Sequence, residues 1–267
     1  MNAVVAGRLL RDRLRSLAWW GLGVAGLVFI SAVFYPSIKR QPSIDQLLRN
    51  LPKSLKGFVG GATVVSFSSP PGYLHGRMFA LTIPALLLIF AIGLGSRALA
   101  GSEDDGTLEL LLANPVTRTR VAVERYAALA GLVGALGALT LAALLALASP
   151  FGLLHGISLG LLAGETLAAT ALALLHASIA FAVGAAVGGR TRATAVATTV
   201  AVYGYIIYGL VTANVVRGAR FVSPWWWYMS RNILVGGLPP EAVVVPLGVC
   251  VLLAAAGVWA FRRRDLR

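Results

Sequence analysis

Six stretches of this chain are each long and apolar enough to cross a lipid bilayer, and that constrains its fold more than any other feature. A hydrocarbon core about 30 Å thick needs roughly 20 apolar residues per helix. Residues 17–35, 78–98, 126–148, about 158–187, 193–213 and 242–261 meet that length. These runs are continuous and rich in Ala, Leu and Gly, whereas barrel strands alternate. Of 267 residues 58% are hydrophobic and 12% charged, an excess of apolar surface that one soluble core could not hide. The expected fold is all-α: a polytopic membrane protein whose residues 1–267 form a single transmembrane domain.

Charge sets the expected orientation. A formal net charge of +13 would suggest nucleic acid in a soluble protein. Here the basic residues cluster beside apolar runs without interleaved aromatics, so they read as membrane anchors, and no nucleic-acid partner is expected. With the N-terminus inside, Arg8, Arg11, Arg13, Arg15, Arg97, Arg118, Arg120, Arg125, Arg190, Arg192, Arg262, Arg263, Arg264 and Arg267 all fall on the inner side, fourteen of the 23 basic residues. Six others lie in the long 36–77 segment, where charge weighs less. Both termini are therefore expected in the cytoplasm. Cys250 is the lone cysteine, so no disulfide framework is available. No cleavable leader is expected, because the first apolar run is long enough to span and no small-residue cleavage site follows it.

The segments outside the spans carry their own patterns. In residues 1–16, Arg8, Arg11 and Arg15 fall on one helical face and Leu10 and Leu14 (with Leu17) on the other. This fits an interfacial helix, and equally a plain charged leader to the first span. In the outer segment 36–77, Ile44, Leu47, Leu48, Leu51, Leu55, Phe58 and Val59 keep helical spacing, and Ser43 with Gln46 makes a capping box. Two short surface helices are expected there, with Pro52 restarting the second. The second outer segment, 214–241, holds Trp225, Trp226, Trp227 and Tyr228, which suit an aromatic belt at the interface.

The segment 101–125 is the most informative. Ser102 is placed to cap a helix, with Glu103, Asp104 and Asp105 at its positive end. Thr107 to Ala113 gives one or two turns with Leu108, Leu111 and Leu112 on a common side. Asn114-Pro115 stops it, and Thr117 caps the helix that follows. A short helix held below the inner face with leucines turned to the cytosol wants a partner groove. The plainer reading is a bent connector that packs only on its own chain.

The run Glu103-Asp104-Asp105-Gly106-Thr107-Leu108-Glu109, its following leucines through Leu112, and Pro115-Val116-Thr117-Arg118 resembles the signature of ABC transporter permeases of the type-2 exporter family. The basic N-terminal helix, the Leu-Pro outer segment, the six spans and the Phe-Arg-Arg-Arg-Asp-Leu tail follow the same order, so the resemblance covers essentially the whole chain. Asn114 departs from the basic residue often found there. The resemblance implies a membrane-spanning permease that couples ATP hydrolysis by a separate cytosolic ATPase to cargo movement. It implies a second permease chain, identical or not, and ATP with Mg on the partner ATPase. Glu103, Gly106, Thr107, Leu108, Glu109, Leu112, Pro115 and Arg118 would form the ATPase-coupling region, and the expected location is the plasma membrane.

No ATP chemistry is expected within these residues. A P-loop needs Gly-Lys-Ser/Thr, and the three lysines, Lys39, Lys53 and Lys56, follow Ile38, Pro52 and Leu55. Two other constellations carry alternative functions. Gly156-Ile157-Ser158-Leu159-Gly160 matches the G-x-S-x-G nucleophile pattern beside His155, which would suit an intramembrane serine hydrolase. His176 lies 18 residues from Ser158 on one helix, roughly 27 Å away, so those two form no dyad. His155 and His75 remain available from outer loops. The favoured reading is that Gly156, Gly160 and Gly164 form a ridge for close helix packing, repeated by Gly184 and Gly188.

Glu165 and His176 are the ionisable residues within a span, three turns apart on one face. They could serve a pathway or an ion-coupled carrier. The favoured alternative sets Glu165 near the outer headgroups, with His176 bonding a neighbouring helix. No cluster has metal-ligand spacing. Thr194, Thr198, Tyr205, Tyr208 and Thr212 form a hydroxyl stripe on the fifth span, suited to lining a pathway for amphipathic cargo or to bonding a partner helix.

Overall fold

A computed structural model describes residues 3–41, 46, 50, 66–108, 116–216 and 218–264, with side chains placed from Leu14 onward. The described residues are helical, with no strand among them, and six helices have the length and apolarity to cross a membrane.

The first helix, α1, runs unbroken over Ala3–Lys39. At 1.5 Å per residue its 37 residues reach about 55 Å, well beyond a bilayer core. The described part of the expected interfacial helix, from Ala3 on, thus runs continuously into the first span, and the one proline inside the helix, Pro36, lies near its other end. The two surface helices expected over 43–59, with their capping box and Pro52, lie outside the described residues.

The second crossing begins earlier than hydropathy suggests. Ser69 caps α2 (Pro70–Tyr73), its Oγ accepting from the Gly72 amide at 3.3 Å, with proline in the first turn. A π-helical stretch, Leu74–Phe79, continues it to α3 (Thr82–Ser96). A second π-helical stretch, Arg97–Gly101, leads into α4 (Ser102–Asp104).

Thr117 caps α5 (Arg118–Ala148) by accepting from the Arg120 amide at 3.3 Å. Ser158 does the same for α6 (Leu159–Val187), accepting from Leu161. Then come α7 (Arg190–Thr212), the short α8 (Pro224–Met229) and α9 (Ile233–Gly236), and α10 (Glu241–Arg263).

The bundle is built around α6, which packs against α3, α5, α7, α8, α9 and α10. Its buried face is largely alanine: Ala168, Ala169, Ala173, Ala177, Ala180 and Ala185 are essentially inaccessible. Lipid tails offer no hydrophobic drive to hold helices together, so close packing of small residues must. The glycines that permit it sit on α6's partners. A Cβ on Gly95 of α3 would run into the carbonyl oxygen of Ala177, one on Gly137 of α5 into Thr170, and one on Gly257 of α10 into the Phe181 ring.

The expected ridge on α6 is therefore reduced to one member at that end. Gly164 meets Leu238 and Ile233, but Gly160 faces open space apart from its own cap, and Gly156 lies in the preceding turn. Gly184 packs on Ala100 and Ala193, while Gly188 lies past the helix end.

Candidate coupling and pathway site

The ends of five crossings meet at one end of the bundle, which is also rich in arginine. The helix entering it from α3 does not stop before Ser102. Ser102 is itself helical (φ −73°, ψ −23°) and makes no cap; its Oγ instead bonds the Arg125 guanidinium at 2.6 Å. Glu103 and Asp104 thus sit at the trailing, negative end of a helix, contrary to the sequence expectation. Neighbouring elements supply the compensation. The Arg190 amide, in the first turn of α7, donates to Asp104 Oδ2 at 2.8 Å, so Asp104 faces the positive end of α7. Arg264 donates to Glu103, and both side chains are mostly buried.

Arg125 and Arg118 complete the network. Arg125 donates to the Ala98 carbonyl at 2.5 Å as well as to Ser102. Arg118 donates to the Arg264 carbonyl at 2.7 Å. Gly106 turns the chain in the left-handed region at φ +67°, which only glycine adopts without strain. Thr107 is exposed and donates to the Ser102 carbonyl at 3.1 Å. Leu108 is 1% exposed and joins the apolar core, so it does not turn outward as its spacing with Leu111 and Leu112 suggests. Glu109, Leu112 and Pro115 lie outside the described residues.

Beside this network is a cavity of about 1120 Å³ between the 97–107 segment and α7. Arg97, Asp104 and Asp105 line one side, and Thr194, Thr198 and Tyr203 the other. The hydroxyl stripe of α7 is therefore divided. Thr198 is exposed on the cavity, whereas Tyr205 packs edge-on against Trp225 at 4.8 Å and Tyr208 is buried beneath α8 with its hydroxyl 3.5 Å from the Met229 carbonyl. Thr212 bonds back to the Tyr208 carbonyl at 2.9 Å. Of the four aromatics expected in a belt, two join this packing, while Trp226 and Trp227 are half-buried. Trp225 and Tyr228 are buried, Trp225 donating to the Ala201 carbonyl at 3.0 Å and Tyr228 to the Phe79 carbonyl at 2.8 Å. Capping by Ser223 and the proline after it turn the aromatic run inward as helix α8.

At the opposite end Glu165 is fully buried within the protein and lies 2.9 Å from His75 Nδ1. His75 is on the helix wall after Pro70, not in a loop. His176 Nδ1 donates to the Leu172 carbonyl of its own helix at 2.8 Å, not to a neighbour. Ser158 is committed to capping, and His155 is exposed in the preceding turn. Sequence reasoning missed the roles of His75 and Arg264. The Ser69-Pro70 start signal marks the helix that carries His75.

Six crossings around a small-residue hub, with a polar segment clamped beneath the second and third, define a polytopic all-α membrane protein. The chain belongs to a family described as ABC-2 family transporter protein, whose profile matches residues 3–266. It is thus a permease component of an ABC transporter, in keeping with the resemblance carried by Glu103 to Arg118. Comparison with curated proteins gave no significant match.

Proposed function

We propose that this chain is the membrane-spanning half of an ATP-driven exporter. Two permease chains pair, and each docks a separate cytosolic ATPase that holds ATP and Mg. The arginine-rich end faces the cytoplasm, since placing it there puts fourteen of 23 basic residues inside, and both termini lie on that side of the plasma membrane. One observation carries the reading. The signature segment of an ABC-2 family member leaves Asp104, Asp105, Gly106 and Thr107 exposed while Ser102, Glu103 and Asp104 anchor it to three other helices. A surface that is rigidly tied to several spans and open to solvent is suited to receive a push.

Cargo passes along the Thr194–Thr198 face of α7, where hydroxyls and charges line a cavity that acyl chains would solvate poorly. An amphipathic cargo suits that lining. Glu103, Gly106, Thr107, Leu108, Glu109, Leu112, Pro115 and Arg118 form the coupling region.

Isolation of the tagged full chain from native membranes tests this. The expected result is co-purification of a protein with a Walker motif, Mg-dependent ATP turnover, and loss of permease-stimulated turnover in Gly106→Val. A chain that purifies alone and cleaves a membrane peptide through Ser158 would overturn it. Transport driven by a proton gradient without ATP, and lost in Glu165→Gln, would also overturn it.

A further inference from the structure

We infer that Arg264 is a positioning residue that couples Glu103 and Arg118, which flank the signature run, to the fourth and sixth crossings. The inference rests on the coupling role proposed above. Arg264 follows the last turn of α10, with its backbone extended at ψ 133°. Two arginines precede it. Arg262 and Arg263 are exposed, and Arg263 lies over the Trp259 ring at 4.3 Å, as expected of anchors at a membrane surface. Arg264 alone of the three turns inward, and anchoring does not explain its contacts.

Those contacts join three elements. Its guanidinium donates to Glu103 on α4 and, at 3.5 Å, to the Gly184 carbonyl in the last turn of α6. Its own carbonyl accepts from Arg118 in the first turn of α5 at 2.7 Å. Gly188, just past the end of α6, makes room for this. A Cβ there would run into the guanidinium, and the residue holds φ +71°. The C-terminal end of the sixth crossing is therefore bound to the ends of the second, third and fourth.

The mechanical consequence is specific. A push on the exposed Asp105–Thr107 turn reaches α5 through Ser102 and Arg125. Through Glu103 and Arg264 it also reaches α10 and the end of α6. Without Arg264 the segment would still fold and dock, held by Arg125 and the Arg190 amide, but displacement would no longer pass to α10.

Reversal of the pair, measured in the complex of the full chain with its ATPase in lipid vesicles, tests the inference with ATP and Mg as the probes. Glu103→Arg and Arg264→Glu should each lower permease-stimulated ATP turnover about five- to tenfold, the lower part of the usual range for coupling between sites. In Arg264→Glu the KM for ATP and the amount of ATPase bound should stay as in the wild type. The double reversal, Glu103→Arg with Arg264→Glu, should recover at least half of the lost turnover. A Glu103→Cys/Arg264→Cys chain carrying Cys250→Ala should be cross-linked by a short bis-maleimide, since side chains that meet at their tips stand farther apart at the backbone than a disulfide spans. Wild-type turnover in both single variants, no recovery in the double reversal, or no cross-link would overturn the inference while the coupling role stands. A wild-type chain that binds no ATPase would overturn the coupling role itself, and this inference with it.

Discussion

His75 Nδ1 lies 2.9 Å from Glu165 Oε1, joining side chains 90 residues apart that are both buried against the central helix. Neither His75 Nε2 nor Glu165 Oε2 has a hydrogen-bond partner among the described residues. The pair holds the helix wall after Pro70 against α6, at the end of the bundle away from the coupling network. Breaking a buried pair from one side leaves an uncompensated polar or charged group, whereas removing both partners does not. Glu165→Leu and His75→Leu should each destabilise the chain by about 3 kcal/mol, and the double variant by less than either. Reversible unfolding of the full chain in mixed micelles reads this; additive losses would show that the two side chains act independently.

Two glycines on one helix supply an internal control for packing against α6. Gly95 faces the Ala177 carbonyl and Ala180, while Gly93 has nothing within 4 Å. Gly95→Ala should cost about 1–3 kcal/mol through overpacking. Gly93→Ala should be neutral or slightly stabilising, since alanine favours helix. Equal effects in the same unfolding measurement would contradict the close approach of α3 and α6.

The tryptophans separate lipid contact from internal packing. Trp19 and Trp259 are exposed on the bundle, at 73% and 56%, whereas Trp225 is 3% exposed. In single-tryptophan chains reconstituted with brominated lipid, Trp19 and Trp259 fluorescence should be strongly quenched and Trp225 nearly untouched. Trp225→Phe should lose about 1 kcal/mol with its bond to the Ala201 carbonyl. Strong quenching of Trp225 would restore the belt reading.

Orientation is read by labelling. Thr107→Cys and Asn214→Cys occupy exposed turns at opposite ends of the crossings. An impermeant maleimide applied to intact cells should reach position 214 and should reach 107 only after lysis. The reverse pattern would place the arginine-rich end outside.

The six crossings were legible because each apolar run exceeds bilayer thickness, but their ends were not. Hydropathy falls at Arg118, Arg120 and Arg125, yet the helix starts at Arg118 because Thr117 caps it and arginine is a good helix former. Hydropathy likewise places the second crossing at 78, although Ser69 and Pro70 start its helix. The coupling motif was readable from its order of residues, and the Gly106 turn and Thr117 cap follow from residue type. What Glu103 and Asp104 face was not readable, since their partners Arg264 and Arg190 are remote in sequence. Nor does sequence distinguish Arg264 from Arg262 and Arg263. Which of three consecutive arginines turns inward depends on where α10 ends and on the space left by Gly188. The α6 ridge failed for a related reason: periodicity finds small residues on one helix but not which helix of a pair carries the glycine.

A photo-reactive amino acid at Asp105, in the full-length chain in native membranes, tests most directly whether another protein engages this turn. The account predicts an adduct, identified by mass spectrometry, with an ATPase bearing Walker motifs. Adducts only with lipid or with the chain itself, or access to position 105 from outside the cell, would contradict it.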